Sequence, residues 1–459
     1  MKPRLGVLVF FCLMLAGCWN SCSRPATMGS LHRDGILRVA TRNGSTTYYL
    51  DRHEQPIGPE YDLVSAFASA HGWQVEWTMY DSTAEVLQSL EHGTTHLAAA
   101  GLTHMAARDA IYARGPAHTE VIEQLVCHRD RVPFPRTQED LSGLDIHVTA
   151  KSSYVATLSD LQEQIEGIRF VVDELRTTEI LLSQVAEQKI DCVVADSNIV
   201  EVTRRHWPHL QVAMNLGDGQ NLGWYLPKQN QELADMAREW MNSEAGNLAL
   251  RAMENRYYSY IGDFDFVDLR TLHQRIDERL PHFMSDFVRA EKVTGMSALL
   301  LAALAYQESH WDPDARSPTG VRGIMMLTLP TADSLGVNRL DPGQAIMGGA
   351  EYLAELHRRL PEAVVEPDRT YLALASYNIG RGHLLDARQL ARDLGKNPDS
   401  WADMREVLPL KADKRYYPST RYGYARGYEP VHYVQRIRNY KDVIVGRIAG
   451  TSHTPATLL

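Results

Sequence analysis

The stretch AYQESHWDPDARSPTGVRGIMMLT, residues 305–328, joins the end of an apolar helix to a tight polar loop. Upstream of Glu308, leucines at 304, 301 and 300 share one helix face with it, so Glu308 is predicted to lie on a buried stripe. Burial and a helix C-terminus both raise a carboxyl pKa, and a protonated carboxyl group can serve as a general acid. The alternative is a helix-end glutamate bonded to Ser309 or to backbone amides, and spacing alone favours neither.

The loop after Glu308 has the composition of a rigid turn. Gly320 and Gly323 permit close approach of the backbone, while Pro313 and Pro318 restrict it. We therefore expect the loop to pack closely beside the carboxyl group.

Around this stretch the sequence predicts helices only, and residues 268–459 are predicted to form an all-α domain. One helix should begin at Asp341 as N-cap, with Pro342 in its first turn and Gln344 completing a capping box. Its apolar stripe is Ile346, Ala350, Leu353, Leu356 and Leu360. A second helix ends near Asn378 and Gly380, and a third covers EPVHYVQRIRNYKDVIVGRI.

Residues 34–267 have a different pattern, in which strands and helices alternate. GILRVATR, WQVEWTMY and THLAAAGLT are strand candidates, and the alternation restarts at LDIHVTAK. Two consecutive α/β units predict two lobes on mostly parallel sheets, with a ligand cleft between them at the carboxyl ends of the strands. The predicted fold class is thus a multidomain chain, a bilobal α/β domain followed by an all-α domain.

The N-terminus has the layout of a secretory signal, predicted to be residues 1–17. Its end, LAGC, resembles the lipobox of bacterial lipoproteins, which implies a lipid on Cys18 and a tether over residues 18–33. Trp19 follows the cysteine, and by the lipoprotein rule this points to the periplasmic face of the outer membrane.

Charge and cysteine content limit the other possibilities. The formal net charge of −10 argues against nucleic acid as the main partner. Cys127 and Cys192 lie in apolar runs and are predicted to be buried free thiols, with a disulfide between them as the alternative. No cysteine or histidine spacing indicates a metal site.

Three motifs carry a resemblance to a known family. The pattern ES-x-W-x-P-x-A-x-S-P-x-G-x-x-G-x-M fits residues 308–325, ALASYNIGRGH fits residues 373–383, and YVQRIRNY fits residues 433–440. In order and spacing they resemble the soluble-type lytic transglycosylases, which implies a fold like goose-type lysozyme. The sequence departs from the family at Met326, where many relatives have Gln, so any contact through that amide is not implied.

The resemblance implies a role for five residues. Glu308 would be the catalytic acid and base, and Ser317 would bond it or the N-acetyl group of the sugar. Tyr377 and Asn378 would line the floor of the sugar groove, and Tyr433 would stand near Glu308. The implied substrate is the glycan strand of peptidoglycan, cleaved between MurNAc and GlcNAc by a single Glu with help from the N-acetyl group, leaving a 1,6-anhydromuramoyl end. No metal or organic cofactor is implied.

Residues 36–260 resemble the family-3 extracellular solute-binding proteins, which clamp amino acids. GLTHMAARDAIYARGPA and DCVVADSNIV carry the resemblance. It implies that Arg108 holds a carboxylate with Thr103 nearby, and that Asp196 holds an amino group, in an amino acid or a peptidoglycan stem peptide. Lys151 stands where the family commonly has Gly, so the identity of the ligand is not implied.

Other functions compete with an anchored, regulated transglycosylase. A lysozyme-type hydrolase would leave reducing ends, and a sensor or scaffold would bind peptidoglycan without cleaving it. The intact Glu308, Ser317 and SYN segment argue against the silent sensor. An amino-acid transporter component would not need the helical domain.

Overall fold

A computed structural model describes residues 31–50, 54–259, 266–317 and 320–451 of the 459-residue chain. The predicted signal, Cys18, most of the tether and Pro318 lie outside the described residues. No helix within the described ranges has both the length and the apolar character that crossing a membrane requires.

The first part of the chain, up to residue 259, alternates strands and helices as predicted. Its strands are β1 (Ile36–Arg42), β2 (Tyr49–Leu50), β3 (Pro56–Ile57), β4 (Gln74–Tyr80), β5 (Leu97–Thr103), β6 (Ala113–Val121), β7 (Glu123–His128), β8 (Ile146–Thr149), β9 (Phe170–Asp173), β10 (Cys192–Asp196), β11 (Leu210–Asn215) and β12 (Gln220–Leu226). Its helices are α1 (Leu31–Asp34), α2 (Pro59–Ala70), α3 (Thr83–Glu91), α4 (Ala106–Ile111), α5 (Ser153–Gln164), α6 (Thr178–Ala186), α7 (Ser197–Arg204), α8 (Gln231–Asn242) and α9 (Glu244–Tyr257).

Two five-stranded sheets form two lobes, in the orders β4-β1-β5-β12-β6 and β11-β7-β10-β8-β9. The expectation of mostly parallel sheets was wrong, since each sheet has two parallel and two antiparallel pairings. The antiparallel strands are those that carry the chain between the lobes, β6 into β7 and β11 into β12. When the chain leaves one lobe and later returns to it, the returning strand runs antiparallel to the strands it joins.

The prediction of free thiols was also wrong, because Cys127 and Cys192 form a disulfide. The two residues are directly opposite each other on the antiparallel strands β7 and β10. Both are fully buried in the core of the second lobe. The register of two distant strands brings the sulfurs together, and the sequence spacing does not show that register.

The second part of the chain is helical, and its described residues form no strand beyond isolated bridges in the loop after Glu308. The predicted domain boundary at 267/268 falls in the first turn of the first helix of this part. Residues 260–265, just before that helix, lie outside the described ranges, so the boundary stays a prediction. The helices are α10 (Phe266–Glu278), α11 (Met284–Thr294), α12 (Ala298–Ser309), α13 (Leu329–Leu335), α14 (Pro342–Arg358), α15 (Asp368–Ile379), α16 (Arg381–Asp393), α17 (Trp401–Val407) and α18 (Glu429–Thr451).

Helix α14 begins as predicted. The Asp341 side chain accepts a hydrogen bond from the Gln344 amide, and Pro342 occupies the first turn. The second half of the capping box differs, because the Gln344 side chain accepts from the Asn338 amide instead. The predicted stripe from Ile346 to Leu360 is buried in the common core with α12, α15 and α18.

A buried ion pair orders the chain between α17 and α18. Lys411 is fully buried, and its Nζ lies 2.7 Å from Oδ2 of Asp386 on α16. Asp386 also accepts hydrogen bonds from the backbone amides of Arg421 and Tyr422. Burial raises the pKa of Asp386, but the hydrogen bond from Lys411 and the amide of Tyr422 outweigh it and hold this pKa below its usual value. The pair therefore fixes the irregular segment that leads into α18.

We predict that Lys411→Met lowers the free energy of unfolding by about 3–5 kcal/mol, because it leaves the Asp386 carboxylate buried without its counter-charge. Chemical denaturation of the full chain measures this. Lys414→Met is the matched control, since Lys414 is exposed and should cost little. Equal stability of the two variants would contradict the assignment.

Candidate active site

Glu308 lies in the last turn of α12, partly exposed at the end of a helix whose upstream face is buried. Leu300, Leu301 and Leu304 are in the core, as the spacing predicted. The carboxyl group is therefore held where an apolar interior meets solvent.

The partner of Glu308 is Tyr433 of α18, which is 125 residues away in the sequence. The Tyr433 hydroxyl, itself buried, donates a hydrogen bond to Oε1 of Glu308. Burial raises the pKa of Glu308 to about 7, although the bond from Tyr433 lowers it. Near neutral pH the carboxyl group can thus both give and take a proton.

The alternative partner, Ser309, turns away from the carboxyl group. Its hydroxyl lies 3.1 Å from the Ala305 carbonyl and 2.8 Å from the Ile324 carbonyl. Trp311 is almost wholly buried, and its indole N–H donates to the Ala302 carbonyl at 2.8 Å. These bonds anchor both ends of the loop to α12.

The loop is built from unusual backbone conformations. His310, Trp311 and Met326 have φ of 55°, 57° and 46°, in the left-handed region that non-glycine residues seldom adopt. Gly323 has φ of 86°, and a Cβ there would lie 2.0 Å from the Arg339 carbonyl oxygen. Only glycine fits at that position, as the sequence analysis expected for a close approach.

Ser317 lies in the same loop, where it is hydrogen-bonded to Val321 across a turn. Its hydroxyl accepts a hydrogen bond from the Val321 amide at 3.0 Å, and its own amide donates to the Val321 carbonyl at 2.9 Å. The structure thus gives Ser317 a role in shaping the turn. A contact of Ser317 with Glu308 or with a sugar stays a prediction.

Tyr377 and Asn378 end helix α15. The Tyr377 hydroxyl donates to the Met325 carbonyl at 3.1 Å, which ties α15 to the loop. Burial, and after it the negative charge of Glu308, raise the Tyr377 pKa well above its ordinary value. Asn378 is exposed, and Gly380 follows with φ of 87°.

Three helices thus bring the predicted residues to one place: α12 carries Glu308, α15 carries Tyr377 and Asn378, and α18 carries Tyr433. Ser317 is in the connecting loop. The central feature is a single partly buried carboxyl group with a phenol partner, and it suits proton transfer to and from a bound sugar.

In the first part of the chain, Thr103 ends β5 and Asp196 ends β10, while Arg108 lies in α4. Arg108 is buried, with Nη1 donating to the Thr103 carbonyl at 2.8 Å and Nη2 to the Lys151 carbonyl at 2.6 Å. The second bond crosses from one lobe to the other. The Thr103 hydroxyl meets that of Ser153 at 3.2 Å, also across the cleft.

Asp196 has a neighbour that the sequence analysis missed. Burial and the nearby Glu123 raise the Asp196 pKa to about 7, and Arg42 and Arg108 lower it. Glu123 is buried, and neither of its carboxylate oxygens has a hydrogen-bond partner in the described parts of the chain. The signal in the sequence was the acidic Glu123 at the start of the otherwise mostly apolar strand segment IEQLVC, which indicates a carboxyl group close to a buried region.

The structure also brings together three residues whose spacing indicated nothing. His128, Asp130 and His209 place their ligand atoms within 4.8 Å of one another on the second lobe. Their separation along the chain explains why a search for metal-ligand spacing passes over them.

Helix α18 connects the site to the first part of the chain. Arg205 pairs with Asp442 at 2.8 Å, and Arg438 donates to the carbonyls of Asn255 and Arg256 at 2.8 and 2.6 Å. The Arg438 guanidinium also lies 4.4 Å from the ring centre of Tyr371. A cavity of about 460 Å³ lies at this junction.

Two families match this chain. Residues 37–260 match the bacterial extracellular solute-binding proteins, family 3, and residues 286–400 match the transglycosylase SLT domain. Among solved structures, an ancestral arginine-binding protein bound to arginine is 18% identical, covers 49% of this chain and 99% of its own, and has a TM-score of 0.45.

Relatives of nearly full length match as well. Membrane-bound lytic murein transglycosylase F 2 of Alkalilimnicola ehrlichii is 61% identical over 97% of this chain and 99% of its own. Membrane-bound lytic murein transglycosylase F of Shewanella loihica is 38% identical over 96% and 92%. The protein is therefore a peptidoglycan lytic transglycosylase with a solute-binding domain. The chain belongs to the membrane-bound lytic murein transglycosylase F family.

Proposed function

We propose that Glu308 alone supplies the acid and base of the reaction and that the product carries a 1,6-anhydromuramoyl end. The observation that supports this is the partly buried Glu308 carboxyl group, with a pKa of about 7 and the Tyr433 hydroxyl bonded to it. Of the other acids of the loop, Asp314 is exposed, and Asp312 is half-buried with its Oδ1 accepting a hydrogen bond from the Asp314 amide, so we assign no second carboxylate.

The proton balance needs only this group. Protonated Glu308 gives its proton to the oxygen that links MurNAc to GlcNAc, and the C1–O bond breaks. The N-acetyl carbonyl of the muramoyl sugar stabilises the positive charge at C1. Glu308, now a carboxylate, takes the proton of the 6-hydroxyl as that oxygen bonds to C1 and closes the anhydro ring. No water is consumed, and Glu308 ends protonated.

The surrounding residues have positioning roles in this proposal. Tyr433 orients the Glu308 carboxyl group through its hydrogen bond. Tyr377 fixes the loop through Met325, and Asn378 offers an exposed amide to the substrate. Ser317 faces the N-acetyl group once a strand is bound.

We further propose that lipid on Cys18 anchors the protein at the periplasmic face of the outer membrane. The support is the LAGC sequence followed by Trp19, after an apolar stretch of signal length. In the same proposal residues 1–17 are the signal, 18–33 the tether, 34–267 the solute-binding domain and 268–459 the transglycosylase domain.

The solute-binding domain binds an amino acid or a stem peptide in our proposal and reports it to the transglycosylase domain. Arg108 would exchange its bonds to the Thr103 and Lys151 carbonyls for a ligand carboxylate, and Asp196 would take the amino group. The hydrogen bond from Arg108 to the Lys151 carbonyl joins the two lobes, so replacing it by a bond to a ligand affects how the lobes close. Helix α18 gives the domains a shared element through Arg205 and Asp442.

Glu308→Gln keeps the size of the side chain but removes its proton, so we expect cleavage of purified sacculi to fall by at least about 10²–10⁴-fold. Mass spectrometry of the products of the wild-type enzyme should show 1,6-anhydromuramic ends. The rate of cleavage by the wild-type enzyme should fall as the pH rises through about 7, because Glu308 then loses the proton that it must donate. Glu278→Gln, an exposed change on α10, is the control. Wild-type digestion by the Gln variant would refute the assignment, and reducing ends alone would indicate a hydrolase.

Cys18→Ala should release the mature protein from the outer membrane or block its processing. Lipid chains contribute about 0.8 kcal/mol per buried CH₂ group, and the alanine variant has none. Membrane fractionation with metabolic lipid labelling measures both effects. A processed alanine variant that stays in the outer-membrane fraction would show that sugar or protein contacts are the anchor.

Arg108→Ala should weaken binding of amino acids or stem peptides to the full chain by at least about 30-fold. Removing one partner of a buried charge pair costs about 2–5 kcal/mol, and about 1.4 kcal/mol is a factor of ten. Calorimetry is the measurement, with Arg169→Ala, an exposed change on the second lobe, as control. Absence of heat with every ligand, or equal affinity of the Arg108 variant, would leave this domain as a scaffold.

A further inference from the structure

The segment between α17 and α18 presents an unusual surface. Residues 413–428, DKRYYPSTRYGYARGY, include five tyrosines, and we call them the tyrosine segment. Tyr422, Tyr424 and Tyr428 are 49%, 56% and 46% exposed. Exposed apolar residues scattered singly are common, but a cluster of exposed aromatic rings is typical of a binding surface.

The tyrosine segment is ordered, although it has little regular structure. The buried Lys411 and Asp386 hold it, through the Thr420 hydroxyl and the amides of Arg421 and Tyr422. The Lys411 carbonyl accepts from the Ala425 amide at 3.0 Å. The backbone that carries the exposed rings is therefore ordered before any ligand arrives, which lowers the entropy cost of binding.

The tyrosine segment packs near one element of the candidate site and leads into another. The Tyr422 ring rests on Gly382, where a Cβ would be 2.9 Å from ring carbons, and Gly382 lies just beyond Asn378 in the same motif. At the C-terminal end of the segment, α18 begins at Glu429. About one helical turn later, Tyr433 donates its hydrogen bond to Glu308. The segment thus packs against the motif that carries Asn378 and joins the helix that carries Tyr433.

The charge of the tyrosine segment is opposite to that of the protein. Its residues, 413–428, hold four cations (Lys414, Arg415, Arg421 and Arg426) and one carboxylate (Asp413), a balance of +3 in a chain of −10. Arg415 pairs with Asp413, and Arg426 with Glu429. Arg421 makes no ion pair with a described residue, and its guanidinium lies 5.5 Å from the ring centre of Tyr422.

We propose that the tyrosine segment is a binding surface for the glycan strand and its peptide stems, with Tyr422 and Tyr424 stacking on sugar rings and Arg421 binding a stem carboxylate. A pyranose ring has an apolar C–H face that fits the negative face of an aromatic ring. The stems carry carboxylates, and a guanidinium is the side chain best suited to them. The proposal rests on the proposed function, since it names how that site holds its substrate.

Steady-state kinetics on two substrates tests it. One is soluble glycan strands with their peptides, and the other is the same strands after amidase removal of the peptides. Tyr424→Ala should raise KM about tenfold on both, about 1.4 kcal/mol, with kcat little changed. Tyr424→Phe keeps the ring and should restore KM. Arg421→Gln should raise KM only on peptide-bearing strands, and less so at high salt.

Arg270→Gln on α10 is the control for loss of an exposed arginine, and thermal unfolding of each variant confirms its fold. Wild-type KM for the Tyr424 and Arg421 variants, while Glu308→Gln remains inactive, would overturn the surface and leave the proposed function intact. Full activity of Glu308→Gln would refute the proposed function. In that case the affinity of the Tyr424 and Arg421 variants for sacculi would test the binding surface on its own: weakened binding would support it and wild-type binding would overturn it. A concentration-dependent dimer lost in Tyr424→Ala would assign the surface to self-association and overturn the proposal.

Discussion

The contact between the Glu308 carboxyl group and the Tyr433 hydroxyl sets the constraints on the helical domain. It requires α12 to end beside α18 while both helices remain packed in the core. Burial disfavours the charged carboxylate, and one hydrogen bond from a phenol offsets only part of that penalty. The result is a group that holds its proton loosely near neutral pH, which neither a solvated glutamate nor a fully enclosed one would do.

Holding that group in place explains the strained loop. Three non-glycine residues with positive φ lie in the segment that follows Glu308, and such conformations persist only where neighbouring contacts determine them. The Trp311 indole bond, the Ser309 hydroxyl and the Tyr377 bond to Met325 are those contacts. Because each is made to a backbone carbonyl, the loop keeps its shape without depending on the identity of neighbouring side chains. Position 326 can therefore depart from the Gln that the family resemblance implies without disturbing Glu308.

Sequence reasoning succeeded where the signal was local. The leucine spacing that buries α12, the Asp341 cap and the stripe of α14 each depend on residues a few positions apart. It failed where distant segments determine the answer. The disulfide of Cys127 and Cys192 follows from strand register, and the antiparallel strands follow from the lobe crossings. Glu123 beside Asp196 could not be placed because its neighbour is set by the packing of two strands from different parts of the chain.

Helix α18 gives the two domains a common physical element. On one face it brings Tyr433 to Glu308, and on another it carries Asp442 to Arg205 and Arg438 to the end of α9. A ligand in the first domain can affect catalysis only if it binds one arrangement of this helix more tightly than another. Arg108 donates hydrogen bonds to two backbone carbonyls, Thr103 in one lobe and Lys151 in the other, so part of its hydrogen-bonding capacity is already used within the protein. If a ligand binds through Arg108 as proposed, it must compete with these bonds, and only the difference in free energy between the two sets of bonds is available to move α18.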